Sequence, residues 1–254
     1  MRRRAFLLGA ATVPLAGCGD DGSLSVPDVP IDLGGLGGCR SPESLVTFST
    51  LGGAPLSYEV TGTPQSFRAD PRFVEALEDW AAGWTAASGL GPLTGVSTYG
   101  AFVDKCDSWH AAGRAFDFAT LTHEGGVVSC RYDQWGDDPG ELRGYWRLAA
   151  SVASRFTYTL TYRYNAQHHN HIHIDNGVNG YDAASLREGS RTQVDLVQGV
   201  LRFVFGRDVE ATGRYDDATK SAVRSVQRDL GITVPLATPD GWREFLTGAV
   251  ALGR

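Results

Sequence analysis

Four of the chain's six histidines fall within six consecutive residues, His168-His169-Asn170-His171-Ile172-His173, and Ile174-Asp175 follow. In an extended strand, side chains alternate between faces, so His171 and His173 share one face while Ile172 and Ile174 share the other. Such a strand needs an apolar core on one side and a polar cavity on the other, which points to a fold built around a sheet. His168 lies just upstream and reaches the same cavity from a loop. Imidazole is a preferred zinc ligand, so the cluster is a metal-site candidate. The competing reading is a solvated His-rich turn that binds metals without selectivity.

A second cluster lies upstream, Ser108-Trp109-His110-Ala111-Ala112-Gly113-Arg114-Ala115-Phe116-Asp117. It sets a His and an Asp seven residues apart across a glycine. A loop leading into a strand can present both to one ion. Two His nitrogens and one Asp oxygen would leave one of zinc's four tetrahedral positions open, the mark of a catalytic rather than a structural zinc. A lone His and Asp at this spacing arise often by chance, so the pairing of the two clusters carries the expectation. His123 and Glu124 follow the Asp117 strand and read as a turn.

Ser108-x-His110-x-x-Gly113-x-Ala115-x-Asp117 resembles the signature of the zinc D-alanyl-D-alanine carboxypeptidases. His171-x-His173 resembles the His-x-His element of the murein endopeptidases and extensin-like proteins. His168-x-x-His171-x-His173 also matches the His spacing of the endopeptidase site. These families form the LAS group, whose fold the Hedgehog signalling domain shares. The resemblance extends loosely over residues 41–185. It implies His110, Asp117 and His173 as zinc ligands and His171 as general base or orienter of the attacking water, with His168 assisting. Ser108 and Gly113 would shape the loop. The Glu-x-x-Trp-His base motif of another subgroup is absent. Relatives also carry an Arg upstream of the first His, and Val96–Phe102 has none. Arg114 and Lys105 are the candidates to replace it.

Around these motifs the chain reads as α+β. Asp70-Pro71 starts a helix whose stripe is Phe73, Leu77, Trp80 and Trp84, with Gly89 as its stop. Asp138-Pro139 starts a second, over Gly140–Arg155. Strands are expected at Ala115–Thr120, Val127–Arg131, Phe156–Tyr164 and His171–Asp175. The expected architecture is an antiparallel sheet with flanking helices over 41–188, then a small all-α three-helix unit over 190–254. In that unit Val197, Val200, Leu201 and Val204 mark one helix. Ala222, Val223, Val226 and Leu230 mark the next, and Trp242, Phe245, Leu246 and Val250 the third. The run from Thr212 to Gln227, with Leu230-Gly231-Ile232 and Trp242 after it, resembles the peptidoglycan-binding domain of type one. Asp216 and Val226 depart from that family's usual Gly and Phe.

The amino end reads as an address. Arg2-Arg3-Arg4 and the short apolar run Phe6–Leu15 form an export signal over residues 1–17. Arg3-Arg4-Ala5-Phe6-Leu7-Leu8 resembles the twin-arginine consensus. Leu15-Ala16-Gly17-Cys18 resembles the bacterial lipobox, in which Cys18 is lipidated. The stretch 18–40, rich in Gly, Pro and Asp, reads as a tether. Removing residues 1–17 takes three Arg and no acid, leaving 20 Lys+Arg against 29 Asp+Glu, a charge of −9. That balance argues against nucleic acid as a partner. An exported chain can hold a disulfide among Cys39, Cys106 and Cys130, and Cys106–Cys130 is the expected pair because it brackets the His110 motif.

Together these features predict an exported, monomeric protein, lipid-anchored to the outer side of the cytoplasmic membrane or within the periplasm or cell envelope. It is expected to be a zinc peptidase acting on peptidoglycan stem peptides or cross-links, as a D,D-carboxypeptidase or endopeptidase, with its carboxyl-terminal unit on the wall. The alternatives are a noncatalytic zinc-containing wall-binding lipoprotein and an exported zinc buffer.

Overall fold

A computed structural model of the protein describes residues 40–106, 108–177 and 179–252. The signal segment, Cys18, Cys39 and all of the tether before Arg40 lie outside the described residues. Five short strands come first: β1 (Val46–Phe48), β2 (Thr50–Leu51), β3 (Ala54–Tyr58), β4 (Thr63–Pro64) and β5 (Phe67–Ala69). Then come α1 (Pro71–Ser88), β6 (Leu93–Gly100), β7 (Ala115–His123), β8 (Gly126–Ser129), α2 (Tyr132–Trp135) and α3 (Pro139–Ala153). The chain continues with β9 (Tyr158–Leu160), β10 (Ile172–Asp175), α4 (Arg191–Phe203), α5 (Asp217–Leu230) and α6 (Pro239–Ala251). No helix among the described residues is long and apolar enough to cross a membrane.

The helix starts follow their local chemistry. Asp70 and Asp138 each accept two backbone N–H bonds from the first turn of α1 and α3, and proline follows each of them. Their orphan donors are thereby satisfied without tertiary help. Gly89 and Gly231 end α1 and α5 in the left-handed conformation. Ser190, Asp216 and Thr238 cap α4, α5 and α6, each accepting one backbone N–H.

The main sheet runs β2-β3-β6-β7-β10-β9, with β4 on β3 and β8 on β7. It is mixed rather than wholly antiparallel, because β3 and β6 pair in parallel. A parallel pair needs a crossover, and α1 lies in the connection between them. β1 and β5 form a separate two-stranded ribbon. The expected strand at 156–164 shortens to β9. The Asp117 strand extends through His123, so the turn begins at Glu124. His123 is buried, accepting from Trp84 Nε1 at 2.9 Å and donating to the Gly91 carbonyl at 2.8 Å.

One sheet face carries Phe116, Phe118, Ile172 and Ile174, all fully buried. Each contributes roughly 1.5–3 kcal/mol by leaving water, so this face holds the register of β7 and β10. Trp80 of α1 packs on Phe118 at 4.9 Å and donates to Ser151 of α3 at 3.0 Å. The three carboxyl-terminal helices share this core. Trp146 of α3 stacks on Phe203 at 6.2 Å. Arg147 of α3, 6% exposed, donates to the carbonyls of Ser88 at the end of α1 and Val250 of α6, both at 2.8 Å.

The expected Cys106–Cys130 bridge is not formed. Cys130 is a free, fully buried thiol following β8, and burial pushes its pKa up. Pairing of β8 with β7 draws Cys130 into the core, where its N–H donates to Ala119 at 2.7 Å. Cys106 sits exposed in the loop after β6 and is disulfide-bonded, but not to Cys130. Bracketing a motif in sequence does not bring two residues together when one lies in a loop and the other beneath a sheet.

Candidate metal centre

Two structural devices assemble the centre. The first is strand register, which sets His173 of β10 directly opposite Asp117 of β7. The strands alternate, so Asp117 shares the polar face with His173 and Asp175, and the phenylalanines and isoleucines take the other. The second is a tight turn over Trp109–Ala112. Ser108 caps it by accepting from the His110 N–H at 3.2 Å, and Gly113 closes it at φ +68°. A Cβ on Gly113 would lie 2.8 Å from the Asp70 nitrogen, so only glycine lets the turn pack against the start of α1. Ser108 and Gly113 thus shape the loop.

The ligating atoms of His110, Asp117 and His173 all lie within 4.8 Å of one another. His110 Nε2 is 3.2 Å from Asp117 Oδ2 and 3.2 Å from His173 Nδ1, and His173 Nδ1 is 2.8 Å from Asp117 Oδ1. Tetrahedral zinc with bonds of 2.0–2.1 Å requires ligand separations of about 3.3 Å, close to the 2.8–3.2 Å between the two imidazole nitrogens and the carboxylate oxygens. The outer hydrogen bonds fix which atoms face inward. His110 Nδ1 donates to the Ala101 carbonyl, which leaves Nε2 with its lone pair toward the cavity. His173 Nε2 donates to Asp175 Oδ2 at 3.0 Å, which turns Nδ1 inward. Two imidazole lone pairs and a carboxylate then converge on one point. Such a donor set requires a cation, either a metal ion or a proton on one imidazole.

The titration behaviour follows from that convergence. Burial raises Asp117, but its close contacts with His110 and His173 outweigh it and hold the carboxyl well below its ordinary range. Burial disfavours a charged His173, yet hydrogen bonds to Asp117 and Asp175 overcome it and raise the group to about 10. Without a metal, a proton on His173 supplies the missing positive charge.

His171 and His168 flank the centre. His171 Nε2 lies 3.7 Å from Asp117 Oδ1, and its Nδ1 donates to Asn170 Oδ1 at 2.6 Å. Its Nε2 is therefore the free lone pair. Burial lowers the His171 pKa, so the ring is neutral at pH 7. His168 ends a short turn capped by Asn165, which also accepts from its Nδ1 at 2.7 Å. Burial, then the neighbouring His171 and His173, lower it to about 3. Its ring lies 5.0 Å from that of His171. The remaining cluster member, His169, turns away and packs edge-on against Tyr132 at 5.4 Å.

These residues line a cavity of about 520 Å³ whose walls include Trp109, Tyr158, Leu160 and Tyr164. Of the two proposed replacements for the upstream Arg, Lys105 lines this cavity, with Arg40 beside it. Arg114 lines a neighbouring cavity, and its Nη2 donates to the Asn176 carbonyl at 2.7 Å. Three further contributors escaped the sequence reading: Asp175, Asn170 and the Ala101 carbonyl. Asp175 left a signal, since it continues the alternation that put His171 and His173 on one face. Asn170 and Ala101 left none.

A sequence model of the family described as Extensin-like protein C-terminus matches residues 99–183, about a third of the chain. That span contains His110, Asp117, His168, His171 and His173, so the chain is similar to this family where the site lies. No curated protein and no solved structure matches the chain.

Proposed function

We propose that the chain is a zinc-dependent peptidase that hydrolyses peptide bonds in peptidoglycan stem peptides or cross-links. One observation carries the reading: His110, Asp117 and His173 converge in an open cavity with a neutral His171 beside them. A fully closed, four-ligand structural site would have no room for a substrate. The His110 and Asp117 signature and the His-x-His element, both inside the extensin-like span, support the choice of substrate class.

His110 Nε2, the Asp117 carboxylate and His173 Nδ1 would hold the ion. Zinc, when bound, supplies Lewis acidity to a peptide carbonyl and to an attacking water. His171 Nε2 takes the proton from that water and returns it to the leaving amine. Asn170 holds the opposite ring nitrogen as the donor, so the basic nitrogen faces the reaction. His168 is uncharged at neutral pH, with Nδ1–H given to Asn165, so its Nε2 is suited to accept a hydrogen bond from the substrate and the ring does not act as the acid. Trp109, Tyr158, Leu160 and Tyr164 form the apolar part of the wall. In this reading the lipidated Cys18 holds the protein at the membrane and α4–α6 bind the wall, raising local substrate concentration.

Digestion of purified peptidoglycan by the mature chain, with and without zinc, tests this by mass spectrometry of the fragments. Zinc-dependent fragments are expected, and their masses name the bond. The lack of an Arg over 96–102 favours a second reading, a noncatalytic wall-binding lipoprotein. Protein that holds one zinc and pellets with the wall but releases nothing would establish that one instead.

A further inference from the structure

Beside the metal cavity lies a second one of about 280 Å³, lined by Arg40, Arg72, Arg114, Trp109 and Tyr181 and also by Glu43 and Asp70. The two cavities share Arg40 and Trp109. The lining side chains form a continuous run of cation–aromatic contacts. Arg40 lies 4.5 Å from the Trp109 ring centre and Arg114 5.1 Å. Arg114 lies 5.3 Å from the Tyr181 ring and Arg72 4.2 Å.

Three guanidinium groups in one small cavity repel one another, and this chain has a net charge of −6. Among the described residues none of the three makes an ion pair, although seven other Arg or Lys side chains do. Two carboxylates, Glu43 and Asp70, share the lining without an ion pair to any of the three, and three guanidinium groups against two carboxylates leave the cavity one positive charge in excess. Asp70 is committed to capping α1 through the Arg72 and Phe73 N–H groups, and it accepts the Tyr181 hydroxyl at 3.1 Å. The Arg114 Nε is buried without a hydrogen-bond partner, which leaves a costly unsatisfied donor. Aromatic faces hold guanidinium planes while leaving their N–H edges exposed; Arg114 gives Nη2 to the Asn176 carbonyl, and the edges of Arg40 and Arg72 are the ones that match a carboxylate bidentately.

We infer that this second cavity is a recognition subsite for a carboxylate-bearing part of the ligand that reaches past Trp109 from the metal cavity. The arginines take the carboxylate, and Trp109 and Tyr181 take the adjoining apolar surface. The inference rests on the peptidase reading for its substrate, since a γ-linked glutamyl residue of a wall stem peptide carries a free carboxylate. It does not rest on that reading for the binding itself.

The test uses an acetylated, carboxy-amidated alanyl-glutamyl dipeptide, whose only charge is the side-chain carboxylate, and its glutaminyl analogue. Binding to the mature, chelator-treated chain is followed by the indole N–H resonance of Trp109, assigned with Trp109→Phe. The glutamyl peptide is expected to bind about tenfold or more tightly than the analogue, as hydrogen bonds to a charged group allow, and to weaken with salt. Arg72→Gln should remove most of that preference and Arg72→Lys should restore part of it. Arg72 is exposed, and its guanidinium contacts the Tyr181 ring, so both variants are expected to fold. Equal affinity for the two peptides, or an unchanged preference in Arg72→Gln, would overturn the subsite. Because no zinc is present, a peptidoglycan digest that yields no fragments bears on the peptidase alone.

Discussion

Asp175→Asn isolates how far the centre depends on the group behind its ligands. Asp175 is 3% exposed and both of its oxygens are used. Oδ2 accepts the His173 Nε2–H at 3.0 Å, and Oδ1 accepts the Gly177 N–H at 2.7 Å. Asparagine has the same shape but only one acceptor. Whichever way its amide turns, an NH2 group faces another donor, so either His173 or Gly177 loses its partner. A buried donor left unpaired costs about 1–3 kcal/mol, and the metal-free variant should be less stable by that much. Loss of a carboxylate behind a ligating histidine lowers metal affinity about 10–100-fold. The full use of both oxygens points to the upper end. A hundredfold loss removes about 2.7 kcal/mol of zinc-dependent stabilisation at saturating metal. Competition with a chromogenic chelator gives the affinity, and thermal denaturation with and without zinc gives the stabilisation. A variant whose zinc affinity stays within about twofold of the parent, by the same tenfold-per-1.4 kcal/mol scale, would refute the argument that Asp175 orients His173.

The His173 proton gives a pH prediction. Its folded pKa is raised to about 10, so the stability it confers on the metal-free chain is fully present below its ordinary 6.5 and is lost as pH rises through about 10. Zinc must displace this proton, so its Kd should fall about tenfold per pH unit between about pH 7 and 10. Calorimetry in buffers of different ionisation enthalpy should show proton release at pH 7, and its absence would contradict the assignment. His171→Ala should keep one zinc per chain and lower kcat by about 10²–10⁴; a loss below about tenfold would remove His171 as the base. Gly199→Ala should destabilise by about 1–3 kcal/mol, since the new Cβ would lie 2.5 Å from three atoms of the fully buried Trp146 ring. An unchanged melting temperature would contradict the packing of α4 against α3.

What the sequence disclosed, and what it hid, follows from how local each signal is. The caps Asp70-Pro71 and Asp138-Pro139 satisfy their helix starts from within the same few residues, so α1 and α3 were legible. So was the alternation through His171, Ile172, His173 and Ile174. The short strands β1–β5 were not, because strands of two to five residues exist only through their partners. The parallel match of Leu56 with Val96 is an example, since no local pattern encodes a pairing made across α1. The free Cys130 is another case. Its fate depends on β8 joining β7, and that pairing outweighed nearness in sequence.

The centre itself sits between these extremes. His173 and Asp117 are 56 residues apart, and only the register of β10 on β7 makes them neighbours. The motif resemblance supplied that pairing where local pattern did not. Asp175 needed no register, because it lies two residues from His173 on the same strand. Its role depends on the pairing all the same. One carboxylate stands beside His173 along the strand and another across it, so the imidazole is held by negative charge at both nitrogens. A histidine in that position must carry a proton or face a metal. The same arrangement therefore accounts for the raised pKa of His173 and places the His110, Asp117 and His173 ligand atoms within metal-binding distance of one another.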